Sequence, residues 1–183
     1  MTFSCGMPIK SSTTDGTRRR LVYTERGPDF SRLVLQVDRE EVILELLLGF
    51  LSRTSDPCDV MLKVQTGQNS SEGAAAWEYH LGKCSQPTIR SAIAEHHDAV
   101  FHDGATQLLL RDTQSGAYIC FDDHGLLFYY QNEFDELLST LAGYEMQNGY
   151  GSFLNAGPHW HYRSKDSEKK LAAFIRTLQL SQG

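Results

Sequence analysis

GATQLLLRDTQSGAYICFDDHGLLFYYQNEFDELLSTLAG, residues 104–143, decides the fold. Leu108 and Leu110 alternate with Gln107, Leu109 and Arg111, a TQSG turn follows, and Ala117, Ile119 and Phe121 then alternate with Tyr118 and Cys120. Side chains two apart share one face of a strand, so this period-two pattern marks two half-buried strands. Asp123, His124 and Gly125 form a second turn, where glycine supplies the positive φ that tight hairpins often need. Leu126 to Tyr130 is the third strand. Asn132 then stands where a helix cap is needed, Phe134, Leu137, Leu138 and Leu141 recur at i, i+3, i+4 and i+7, and Gly143 ends the run. The stretch reads as a β-meander over about 105–131 with a helix over about 132–142 packed on it.

Working outward, residues 1–17 are rich in Ser, Thr and Gly without periodicity, the composition of a flexible tail. Leu21–Glu25 and Arg32–Val37 are β-prone runs separated by Gly27, Pro28 and Asp29, a hairpin pattern. Asp38, with Glu41 three places on, is an aspartate version of the capping box and opens a helix over about 38–53. Its polar positions Glu41, Glu45 and Ser52 form one narrow stripe, so the helix is either central to the fold or meets another subunit. Val60, Leu62 and Val64 alternate with Met61 and Lys63 in a further strand, and Trp77–Leu81 is a short one. Pro87 fits the first turn of a helix over about 86–101, which places Ile89, Ile93, His96 and Val100 on one face. HWHYR, from His159, is a short strand, and Leu171, Phe174, Ile175 and Leu178 mark a closing helix over about 166–178 that Asp166 or Ser164 caps. The expected fold is α+β: a single domain over 18–183, with a largely antiparallel sheet packed by four helices.

The chain has 183 residues, 40% hydrophobic and 22% charged, which suits one ordinary domain. Its longest apolar run, Val42–Leu51, contains Glu45 and falls short of a bilayer span, and the first twenty residues lack a secretory apolar stretch. Cys5, Cys58, Cys84 and Cys120 are widely spaced without a CxxC pair, so free thiols and a cytoplasmic setting are expected, with Cys58 and Cys120 buried. A net charge of −6 argues against nucleic acid as the main partner.

Three constellations could carry chemistry. His159 and His161 would project from one face of a strand, a spacing used in zinc and iron centres, and a third ligand would have to come from Asp122, Asp123, His124 or His80. Cys84 precedes a helix, where the dipole lowers a thiol pKa, with His124 or His80 as base; the order of elements loosely resembles papain-type cysteine hydrolases. No GxGxxG, P-loop, GxSxG or HExxH motif is present, and no cofactor is implied.

The third is a surface. Asp103, Asp112, Asp122, Asp123, Glu133, Asp135 and Glu136 face only Arg111 in the stretch 103–136, a local balance equal to the net charge of the chain. Tyr118, Tyr129 and Tyr130 lie among them. Aromatic area beside steering carboxylates suits a basic protein partner, with Asp112, Asp122, Asp123, Tyr118, Tyr130, Asp135 and Glu136 as the contact set. The competing interpretation is ordinary: aspartates in turns cap their own backbone, and acids favour the first turn of a helix. A helix, a meander and a closing helix with an acidic face resemble bacterial toxin-immunity domains, which implies a non-catalytic protein-binding or regulatory role, as monomer or homodimer. The alternative expectation is a small metal-dependent or cysteine-based hydrolase.

Overall fold

The structure, a computed structural model, describes residues 21–26, 31–37, 39–66, 76–131, 137, 141, 147–148 and 166–183. In chain order the elements are β1 (Leu21–Arg26), β2 (Ser31–Gln36), α1 (Glu40–Leu51), β3 (Cys58–Thr66), β4 (Ala76–Cys84), α2 (Gln86–His96), α3 (Asp98–Phe101), β5 (Thr106–Arg111), β6 (Tyr118–Phe121), β7 (Leu126–Tyr130), β8 (Gln147–Asn148), α4 (Ser167–Leu178) and β9 (Ser181–Gln182). All nine strands join one sheet in the order β8-β1-β2-β7-β6-β5-β3-β4-β9. The seven longer strands are antiparallel throughout, and the two-residue strands β8 and β9 flank them, β8 parallel to β1. The class is α+β.

The meander is present as the consecutive ladder β5-β6-β7, at the centre of the sheet. One face carries Leu33, Leu35, Val60, Leu62, Leu108, Leu110, Ile119, Phe121, Leu127 and Tyr129 into the main core, together with the buried faces of α1, α2, α3 and α4. α1 contributes Val42, Ile43, Leu46, Leu47, Phe50 and Leu51, with Leu44 and Leu48 partly buried against that core, while Glu41, Glu45 and Ser52 stay exposed. Arg90 of α2 donates to the Leu48 carbonyl at 3.1 Å, which ties α2 to the end of α1. Leu171, Phe174 and Leu178 of α4 are buried, each worth about 1.5–3 kcal/mol by area.

Several boundaries differ from the sequence expectation. α1 starts at Glu40 with Arg39 at the cap position and no side-chain cap, and Asp38 lies outside the described residues. The helix expected over 86–101 divides at His97, whose ring Nδ1 takes up the Ile93 carbonyl at 3.2 Å while its Nε2 reaches across to α1. α2 is capped by Ser85, which accepts from the Thr88 amide, and by Asp56, which accepts from the Gln86 amide at 3.0 Å. β4 runs nine residues rather than five, because its full length pairs with β3. At α4 the cap position is Asp166, but its side chain makes no capping bond. Of the helix expected over 132–142, Leu137 and Leu141 are described, both helical and buried in the core; the rest, the tail 1–17 and the HWHYR strand lie outside the described residues.

Candidate functional site

Four of the acids that the sequence gathers into one strip are buried, and each has local work. Asp112 sits in the β5–β6 turn, where its carboxylate accepts from the Ser55 amide at 2.8 Å, the Ser115 amide at 3.0 Å and both serine hydroxyls. Burial alone would raise its carboxyl, but the bonds from Ser115 and Ser55 outweigh that and hold it well below the usual carboxylate range. Asp122 closes the β6–β7 turn: Oδ1 accepts from the Leu126 amide at 2.7 Å and the His124 amide at 3.0 Å, and Gly125 takes φ of 75°. Asp123 accepts from Gln107 Nε2 at 2.7 Å. Asp103 accepts from the Ala105 amide at 3.0 Å and the Ser167 hydroxyl, which anchors the start of α4.

Among the described residues, the acids of the expected outward strip are therefore buried rather than presented to solvent. Asp112 and the Asp122–Asp123 pair lie at opposite ends of β6, about 13 Å of strand apart; Asp112 and Asp122 accept from the backbone of their own turns, while Asp123 reaches Gln107 on β5. An aspartate beside a turn glycine is better used as an acceptor for backbone amides than as a surface charge. Asp135, Glu136, His159 and His161 lie outside the described residues.

Asp122, Asp123 and His124 each offer a ligand atom within 4.8 Å of one another, the one such convergence among the described residues. His124 Nδ1 stands 3.3 Å from Asp122 Oδ2 and 3.2 Å from Asp123 Oδ1. These hydrogen bonds, first from Asp122 and then from Asp123, push the imidazole pKa up to about 10. The ring carries a positive charge that offsets one of the two adjacent buried carboxylates, and leaves the cluster with one negative charge. Cys84 differs from its expected role as well. Burial pushes its thiol up, and Sγ donates to the Leu178 carbonyl at 3.2 Å. A helix start lowers a thiol pKa only where the sulfur is accessible to stabilise as an anion, and here it is buried.

Sequence reasoning missed a Glu40 clasp and an apolar row. Glu40, in the first turn of α1, meets His97 Nε2 at 2.8 Å and His102 Nε2 at 3.2 Å, which joins α1 to both ends of α3. The histidines are far from Glu40 in the chain, so no local pattern announces the contact. The row lies on the sheet face away from the helices. Register places Leu81, Met61, Leu109, Cys120, Phe128 and Val34 side by side on six successive strands. Exposure is graded along it. Val34 and Phe128 form a second small core with Leu126, while Met61 and Leu109 are half-buried and Leu81 is 46% exposed. Tyr79, 40% exposed, stands beside Leu81 on the same face, and these two are the exposed large hydrophobic side chains among the described residues.

Polar groups flank the open half of the row. Lys63 lies over Trp77, 4.1 Å from the ring centroid, and 5.9 Å from that of Tyr79. On the other side, register aligns Lys83, Asp59, Arg111, Tyr118, Tyr130 and Arg32, with Lys83 and Asp59 paired at 2.9 Å and the two tyrosines stacked at 4.1 Å. Tyr118 and Tyr130 thus belong to this face rather than to an acidic one. Lys63, Lys83, Arg111 and Arg32 against Asp59 give the described part of it a positive balance. A cleft of about 280 Å³ near the end of α1 is lined by Phe50, Arg53, Asp112, Tyr129 and Gln131 among others, but Asp112 is committed to its turn and Gln131 to the Tyr129 hydroxyl. No helix among the described residues is long and apolar enough to cross a membrane. No family model matches the chain, and neither curated proteins nor solved structures supply a match.

Proposed function

We propose that the chain is a non-catalytic protein-binding or regulatory domain whose docking surface is the open part of the sheet face over β4, β3 and β5. The observation that carries this reading is the row Leu81–Met61–Leu109 with Tyr79 beside it: contiguous apolar area left uncovered at one end of a face that is packed at the other. Isolated exposed leucines are common, but a connected strip with aromatic and cationic rims has the composition of a recognition surface.

The partner class follows from the rim. The basic partner expected from the acidic residues has, among the described residues, no exposed cluster of acids from that set to meet, since Asp103, Asp112, Asp122 and Asp123 are all buried. Lys63, Lys83 and Arg111 instead favour a protein that presents apolar side chains ringed by carboxylates. The lack of an activated nucleophile at Cys84 supports a binding role over thiol hydrolysis.

A photo-crosslinking residue placed at Leu81 tests the reading, with the same residue at Lys169, on the exposed side of α4, as control. The expected result in cells is an adduct of one discrete mass from position 81 that disappears when Lys63→Glu is added. Equal labelling from both positions, or none from position 81, refutes the docking surface. An adduct of twice the chain mass would show self-association and refute a partner of another kind.

A further inference from the structure

Cys58 and Cys84 are 26 positions apart in the sequence, yet they stand directly opposite each other at the end of the β3–β4 ladder, as its first and last residues. Directly opposed residues project to the same side of a sheet, and both sulfurs enter the main core. The Gln65 amide donates to the Ala105 carbonyl, continuing the β3–β5 register, so the odd-numbered residues of β3 bond towards β5 and the even-numbered ones towards β4. Cys58 and Cys84 are therefore a hydrogen-bonded cross-strand pair, for which the Cα separation is about 5.5 Å. That lies within the range of about 4.4–6.8 Å that a disulfide spans, although the Cβ atoms of such pairs must close by about 1 Å.

From this we propose that Cys58 and Cys84 are a reversible disulfide site, oxidised by exchange with a small-molecule disulfide such as oxidised glutathione. One thiolate attacks the small disulfide, forms a mixed disulfide and expels one small thiolate. The second cysteine loses its proton to solvent and attacks the mixed disulfide at the protein sulfur. The Cys58–Cys84 bond forms, a second small thiolate leaves, and the two protons end on the two released thiols. The cysteines are oxidised by two electrons and the small disulfide is reduced by two.

The surroundings set both rate and consequence. Burial pushes both thiols up, so attack waits on opening of the ladder end, where Pro57 and Lys83 are exposed. In the reduced state Cys58 donates to the Ser55 carbonyl and Cys84 to the Leu178 carbonyl, both at 3.2 Å. A disulfide removes both donors. The carbonyl released at Leu178 ends α4, two residues before Leu180, which lies on Gly82 and leads into β9. Oxidation thus loosens the strand that covers the outer edge of β4 beside Leu81. The strain of closing the Cβ gap also makes the bond readily reduced, the property of a switch rather than of a structural crosslink.

The test uses the full chain with Cys5→Ser and Cys120→Ser, which keeps only the two opposed thiols, and the wild-type chain mapped in parallel in case the substitutions disturb folding. Native protein is incubated with oxidised glutathione, and intact mass and proteolytic peptides are read over time. The expected product is monomeric, lighter by two hydrogen atoms, and carries a 58–84 linkage that excess reduced glutathione removes. Amide exchange at 179–183 should be faster in the oxidised form. A product that retains glutathione, an intermolecular dimer, a different linkage in the wild type, or thiols that stay unreacted while the urea-unfolded chain oxidises would each overturn the proposal.

Discussion

Replacing Asp112 by alanine tests the assignment of this carboxylate to a structural turn. The side chain is 7% exposed and gathers two short backbone amide bonds and two hydroxyls, one set from the loop after α1 and the other from the β5–β6 turn. Its removal strands the Ser55 and Ser115 amides, at about 1–3 kcal/mol for each donor left without a partner. Ser115 is exposed and can turn to water, so its hydroxyl adds little. The expected loss is about 3 kcal/mol, a large part of the roughly 5–15 kcal/mol that stabilises a typical domain. With a urea slope of about 2 kcal/mol per molar, the midpoint should fall by about 1.5 M at unchanged slope. The pH profile adds a second check. The folded carboxyl lies below its ordinary 3.8, so its contribution is present above that value and fades as pH falls through the folded pKa. The gap between wild type and Asp112→Asn should therefore be full at neutral pH and narrow below about pH 4. A midpoint within experimental error of wild type at pH 7, or a gap that does not change with acidification, would refute the reasoning.

His124 titrates in the other direction. Its folded pKa of about 10 lies above the ordinary 6.5, so the stability it confers is complete below pH 6.5 and is lost as pH rises towards 10. The fall should amount to a few kcal/mol and should be absent in His124→Gln, as thermal melts from pH 6 to 10 would show. Gly82→Val would place a side chain where a Cβ already meets Leu180 Cδ2 at 2.7 Å; a loss of about 1–3 kcal/mol and rapid amide exchange in β9 are expected. Leu47→Ala, at a fully buried position of α1, should cost about 2–5 kcal/mol in urea unfolding. Leu81→Ser should change stability by less than about 0.5 kcal/mol while weakening partner capture, and a large drop in melting temperature would place Leu81 in the core instead.

How much of this was legible in the sequence depends on the range of the interaction. Period-two alternation placed β5, β6 and β7 within a residue or two, and Gly125 marked its turn correctly, because strand pleat and hairpin geometry are local. The i, i+3, i+4, i+7 pattern located α4 for the same reason. Charge was the misleading signal. A count of acids along 103–136 does not say whether a carboxylate faces water or a backbone amide, and Asp112 is buried because Ser55, 57 positions away, closes over it. Cys58 with Cys84 and the row from Leu81 to Val34 depend on register across the sheet, and Glu40 with His97 and His102 on a contact between α1 and the ends of α3. A one-residue slip would have carried Met61 and Leu109 into the core, so the open face could not be read until the pairing was known.

Sheet order also sets a timetable for synthesis. β2 pairs with β7, and Arg32 donates to the Tyr130 hydroxyl across 98 positions of chain. At about 5–20 residues per second, a ribosome needs roughly 5–20 s between making the two strands. Throughout that interval the nascent β1–β2 pair waits with both lateral edges unsatisfied, since β8, the partner of β1, is made later still, and bare strand edges invite wrong pairing.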